Sequence, residues 1–205
     1  VFRVISIGIV LIGVLLSNGC SLRPHPPSIP IQALSGSRYY SAHRKRLISQ
    51  ALLLSKKRLD YRFGYDNPRD GGMDCSGTIQ YLLNKTAHVH APRDASEMYL
   101  WVEREGRIHH VNTYYLHSSQ FNRLRPGDLL FWTGTYYTRH KPPITHVMLY
   151  LGKNKEGVPL MFGAGEGIYQ HRIVRGIGVF DFTLPNRHDR AKFVAYGCIP
   201  SYTCK

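Results

Sequence analysis

The sequence predicts an α+β domain with its helices in the first half and its strands in the second, on three observations. Leu47, Ile48, Ala51, Leu52 and Leu54 recur at helical spacing from Ser41 onward, with basic residues between them. Asp74-Cys75-Ser76-Gly77 leads into the apolar-periodic stretch Thr78-Ile79-Gln80-Tyr81-Leu82-Leu83, a second helix with Asp74 placed to accept from its first free N–H groups. Two apolar runs of strand length follow, at 129–132 and 144–151, with a third segment at 158–167.

The elements follow in chain order. Val4 to Leu16 is an almost unbroken apolar run, and Arg3 is the one charge in positions 1 to 19. The run is too short to cross a bilayer comfortably and has the length of an export-signal core. It ends in Leu15-Leu16-Ser17-Asn18-Gly19-Cys20, which resembles a bacterial lipoprotein signal. That resemblance implies a signal at 1–19 and lipidation of Cys20, hence attachment to a bacterial membrane on its extracytoplasmic side. An ordinary cleaved signal and an uncleaved anchor are the alternatives. Residues 20–41 read as a linker, since Pro24, Pro26, Pro27 and Pro30 exclude a helix and favour extended backbone. Arg23, Arg38, Arg44, Lys45, Arg46, Lys56, Lys57 and Arg58 stand against the single acid Asp60 in this part of the chain, a pattern that reads first as a solvated face.

Residues 42–205 suffice for one compact core. The formal charge of +14 and pI near 9.8 would suit nucleic acid, but the export signal argues against that partner. Anionic cell-wall polymer or a membrane surface is the consistent counterpart, and a monomer is expected. Of the four cysteines, Cys20 would carry lipid and Cys75 would react. Cys198 and Cys204 remain for a disulfide in an oxidising compartment, with their geometry open.

Cys75 is the candidate nucleophile. In the first turn of a helix its thiolate would meet unpaired N–H groups and the favourable end of the dipole, so a depressed pKa is expected. A buried structural cysteine is the plainer alternative. Pro126-Gly127-Asp128 turns into the first apolar run, and Ile144-Thr145-His146-Val147-Met148-Leu149-Tyr150-Leu151-Gly152 forms the second. Alternation places His146, Met148 and Tyr150 on one face and Val147, Leu149 and Leu151 on the other. Both faces are apolar, which marks a central strand. His146 there is either a packed core residue or a base for Cys75. Such a pair would attack an amide carbonyl, protonate the leaving amine and hydrolyse the thioester, with the Cys75 N–H as one oxyanion donor.

Tyr61-Arg62-Phe63-Gly64-Tyr65, Gly71-Gly72-Met73-Asp74-Cys75-Ser76-Gly77, Pro126-Gly127-Asp128-Leu129, Thr145-His146-Val147 and Tyr150-Leu151-Gly152 resemble the NlpC/p60 cysteine peptidases in order and spacing, over roughly 42–182. The resemblance implies a papain-like fold, with the nucleophile-bearing helix packed on an antiparallel sheet that carries the base. It implies hydrolysis of peptidoglycan stem peptides, commonly between D-γ-glutamate and a diamino acid. It also implies Cys75 as nucleophile, His146 as base, Tyr61 beside the nucleophile, and Asp74 and Ser76 lining the pocket for the stem-peptide amine. No cofactor or metal is implied.

The family's third polar residue, which orients the base, aligns with Gly163. Glu166, His171 or a backbone carbonyl are the replacements within reach by sequence, and a carboxylate at Glu166 would best fix the imidazole tautomer. Arg93 could meet a substrate carboxylate or serve in a salt bridge. His88-Val89-His90 and His109-His110 lack metal-site spacing and read as surface residues. A non-catalytic wall-binding module and a related amidase or acyltransferase are the rival functions.

Overall fold

The computed structural model describes residues 23–105 and 107–204. The signal-like run and Cys20 lie outside the described residues. Helix α1 (Ala42–Ser55) starts where Ser41 accepts from the Arg44 N–H, and it buries Leu47, Ile48, Ala51, Leu52 and Leu54, the residues its periodicity selects. Two short parallel strands, β1 (Asp60–Tyr61) and β2 (Gly72–Met73), lead into α2 (Cys75–Ala87). Helix α3 (Ala95–Arg104) is capped by Asp94, whose side chain accepts from the Ser96 and Glu97 N–H groups.

The strands are β3 (Ile108–His110), β4 (Asp128–Thr133), β5 (Ile144–Lys153), β6 (Pro159–Tyr169), β7 (Arg172–Asp181) and β8 (Lys192–Cys198). They form one antiparallel sheet in the order β3-β8-β4-β5-β6-β7. The helices cover one face, with α2 against β5 and β6, α3 against β5, and α1 against β7. This is the expected papain-like arrangement of a helix on an antiparallel sheet.

The alternation along β5 is realised. Val147, Leu149 and Leu151 join the helices in the main core. Met148 and Tyr150 face the other way into an aromatic cluster with Trp132, Phe180, Phe182, Phe193 and Tyr196. Burial on both sides explains why β5 reads as nearly continuous apolar sequence.

The Pro-rich segment is extended from residue 23, yet it lies on the domain instead of hanging free. The Pro24 and Pro27 carbonyls accept from the Arg175 and Val179 N–H groups at 3.0 and 3.3 Å, and the Leu59 carbonyl takes Ile177 between them at 2.9 Å. Prolines accept but cannot donate, so they cover the open edge of β7 without offering a new one. The basic run is also partly structural. Arg44 ties the Pro126 and Thr203 carbonyls together at 2.9 and 2.8 Å. Cys198 and Cys204 are joined by a disulfide.

Candidate active site

The start of α2 is held by the chain just before it. Arg62 N–H donates to the Met73 carbonyl at 3.1 Å, and Asp74 N–H to the Tyr65 carbonyl at 2.9 Å. This lays the 62–66 loop over the first helical turn. A side chain at Gly77 would place its Cβ 2.5 Å from the Tyr65 carbonyl oxygen, so the close approach admits glycine alone.

Asp74 is buried and saturated with donors. One carboxylate oxygen accepts from the Gly77 N–H at 2.7 Å, from Ser76 Oγ at 3.3 Å and from Arg93 at 3.0 Å. The other accepts from the Gly64 N–H at 2.9 Å and from Arg93 at 2.7 Å. Arg93 also donates to Ser76 Oγ at 2.9 Å and to Asp66 at 3.2 Å. The two readings of Arg93 thus resolve toward the salt bridge: its fork holds Asp74 and Ser76 in place from the loop before α3. Asp66 remains half-exposed at the outer end of this network.

Cys75 lies at the head of α2, 5 % exposed. Burial pushes its thiol up to about 11, and the charge of Asp74 adds to this. The backbone N–H of Val147 pulls in the opposite direction, as do those of Ser76 and Cys75 itself. The expected depression of the thiol pKa is therefore not found in the free protein: desolvation of the thiolate outweighs the helix N-terminus. The same observation places the sulfur against the residue that follows His146.

His146 is partly buried, opposite Trp132 in the β4–β5 pair, with ring centroids 5.6 Å apart. Burial lowers its pKa to about 4, partly offset by Asp74. Burial thus favours the neutral form of both side chains.

Of the side chains that could orient the imidazole, Glu166 is engaged elsewhere. Glu166 pairs with Arg23. Its strand neighbour Gly165 is the residue beside the imidazole: a Cβ there would stand 3.4 Å from His146 Cε1 and 3.6 Å from Nε2. Alternation along β6 turns Glu166 to the opposite face. His171 sits exposed in the β6–β7 hairpin turn with φ of 65°. At Gly163, the position aligned with the family's third residue, a Cβ would fall 2.2 Å from Met148 Sδ. The thioether fills the space a polar side chain would need.

Tyr61 is half-buried, and its hydroxyl pKa is raised by burial and then by Cys75 and Asp74, which sets it beside the nucleophile. Tyr136, in the β4–β5 loop, was not found by sequence reasoning. Its pKa is raised by burial and then by Cys75, Asp94 and Asp74. It packs edge-on against Phe63 at 5.6 Å, forming an aromatic wall. The cluster Trp132, Tyr136 and Tyr137 around the turn was the available signal.

A family model described as the NlpC/P60 family matches residues 58–165, from just before β1 through Gly165 in β6. The chain belongs to the NlpC/P60 family. Among its curated relatives is a γ-DL-glutamyl hydrolase of Bacillus subtilis, 26 % identical over 46 % of this chain and 18 % of that protein. The probable endopeptidase YafL of Escherichia coli is 30 % identical over 66 % of this chain and 53 % of its own length. The murein DD-endopeptidase MepH of Escherichia coli is 32 % identical over 46 % and 29 % respectively. The matched region thus spans about half or less of each of these relatives.

In this NlpC/P60 domain Cys75, Asp74, Ser76 and Tyr61 gather at the start of α2, and His146 lies near the start of β5. Glu166 and His171 stand apart. Helix α3 and the edge strand β3 lie between α2 and β4 in the chain, and just before α3 Arg93 bonds to Asp74 and Asp94 to His140. Among the described residues no helix is long and apolar enough to cross a membrane.

Proposed function

We propose that this chain is a cell-envelope cysteine peptidase that hydrolyses amide bonds in peptidoglycan stem peptides, with Cys75 as nucleophile and His146 as base. The observation that carries the reading is the position of Cys75. It heads α2 beside Asp74 and Tyr61, with its sulfur facing the Val147 N–H one residue from His146. Substrate binding completes the pair: imidazole takes the thiol proton as sulfur attacks the carbonyl, so no buried ion pair has to exist beforehand. The tetrahedral oxyanion lies within reach of the Cys75 N–H and the Tyr61 hydroxyl. Imidazolium protonates the leaving amine, and a water activated by His146 releases the acyl group.

The D-γ-glutamyl–diamino acid bond is the proposed target. The relatives are named for a γ-DL-glutamyl and a murein DD bond, so both bond types belong in the assay. Cys20 is proposed to carry the lipid anchor, which would hold the domain at the membrane facing the wall. Mature protein incubated with muropeptides is expected to release new fragments by mass spectrometry, and Cys75→Ala is expected to abolish them. Intact muropeptides after prolonged incubation with several stem types would defeat the peptidase.

A second reading is a wall-binding module with weak or no catalysis. It is favoured by the raised thiol pKa and by Met148 in the orienter's place. Pull-down on insoluble peptidoglycan unaffected by Cys75→Ala, with no cleavage by the unaltered protein, would select it.

A further inference from the structure

A cavity of about 550 Å³ opens next to Tyr61, walled by Arg23, Asp60, Arg62, Glu166 and Arg175. Three elements build it: β1, the cross-strand pair Glu166–Arg175 of the β6–β7 hairpin, and the N-terminal arm. Most of its charges are already engaged. Glu166 holds Arg23, and Asp60 lies 3.5 Å from His25 Nε2. Arg62 donates to the Asp70 carbonyl and lies over the Tyr65 ring at 4.3 Å.

Arg175 differs. Its backbone N–H is pinned to the Pro24 carbonyl at 3.0 Å, yet among the described residues its guanidinium has neither a carboxylate partner nor a hydrogen bond. The positive charge of Arg175 and the thiol of Cys75 both act on the Tyr61 hydroxyl, in opposite directions, so one ring links the cavity to the nucleophile. An unpaired guanidinium in a concave site draws an anion, and its planar fork fits a carboxylate better than a point charge would.

We propose that Arg175 is a specificity residue that binds a carboxylate of the stem peptide, in a subsite adjoining Cys75 across Tyr61. This rests on the peptidase reading above. Two groups supply such a carboxylate beside the scissile amide. A γ-linked glutamyl residue leaves its α-carboxylate free on the acyl side. A diamino acid of the diaminopimelate type carries a second carboxylate on the leaving side, which lysine lacks. The arm contributes by holding Arg23 on Glu166, which keeps that carboxylate from neutralising its strand neighbour.

Four synthetic stem peptides decide the matter, with glutamyl α-carboxylate or α-amide crossed with diaminopimelate or lysine, tested on the unaltered protein and on Arg175→Gln. A charge-assisted contact predicts a preference for one carboxylate of about tenfold or more in kcat/KM, expressed in KM, and its collapse in Arg175→Gln. Sensitivity to α-amidation assigns the acyl side; sensitivity to lysine assigns the leaving side. A preference that survives Arg175→Gln, or no preference in the unaltered protein, overturns the proposal. Calorimetric binding of the same peptides to Cys75→Ala, with and without Arg175→Gln, separates the two levels. If nothing is cleaved, the peptidase reading fails. In that case charge-selective binding lost with Arg175 still upholds the subsite, and equal or absent binding of all four peptides overturns it.

Discussion

Around Cys75 the chain surrounds a carboxylate with donors; around His146 it lines an imidazole with glycine, methionine and tryptophan. Asp74 receives hydrogen bonds from Gly64, Gly77, Ser76 and Arg93. His146 has Trp132 on one side and Gly165 on another, with Met148 over the place of a third residue. The first half is fixed by directional bonds that tolerate little displacement. The second is fixed by packing, which sets where the ring sits but leaves its tautomer to solvent and substrate. The surroundings of Cys75 are therefore more firmly preorganised than those of His146.

The comparison can be broken most severely at Arg93. Its fork compensates the buried Asp74 charge, and Arg93→Ala leaves that carboxylate with neutral donors only. A loss of about 3 kcal/mol is expected in denaturant unfolding, together with impaired cleavage. Stability within about 0.5 kcal/mol of the unaltered protein would show that the polar network is not what holds this half of the site.

The packed half is tested at Gly163. Gly163→Ala drives a Cβ into Met148 Sδ and should cost about 2 kcal/mol by overpacking, with Met148→Ala restoring part of it in the double variant. Strictly additive losses would mean that the two residues do not share one space.

The pH dependence sharpens the contrast further. Burial favours the neutral form of each partner, raising the thiol to about 11 and lowering the imidazole to about 4. Alkylation of Cys75 by iodoacetamide in the free protein should thus run at least about tenfold slower than for an ordinary thiol at pH 8, and climb only in more alkaline solution. His146 stays unprotonated, and so able to act as base, down to mildly acidic pH. A midpoint below that of free cysteine would instead indicate a preformed thiolate–imidazolium pair.

The smallest effect is expected from Glu166→Gln. The side chain is half-exposed, its partner is Arg23, and surface pairs of this kind contribute within about 1 kcal/mol. Cleavage should keep its pH profile and its rate within about twofold of the unaltered protein. A displaced acid limb would return Glu166 to the base.

Much of this was legible in the chain. The helix at Cys75 and its Asp74 cap are local, decided by residues within one turn, and both stand as read. The two faces of β5 follow from alternation alone, because the strand is buried on both sides. Tyr136 was not legible, since a residue in the β4–β5 turn reaches Cys75 only after the sheet closes under α2.

Periodicity, capping and motif order act over short spans, and from them the sequence alone shows the first helices and strands, the place of Cys75 at a helix start and the family. Only the tertiary structure decided what surrounds those groups. Glu166 and Gly165 are adjacent in sequence yet lie on opposite faces of β6, so one residue of register separates a triad member from a surface ion pair. The direction of the Cys75 pKa shift likewise depends on burial in three dimensions. A helix N-terminus is a local feature that favours thiolate, whereas burial is a property of the whole fold, and here burial prevails.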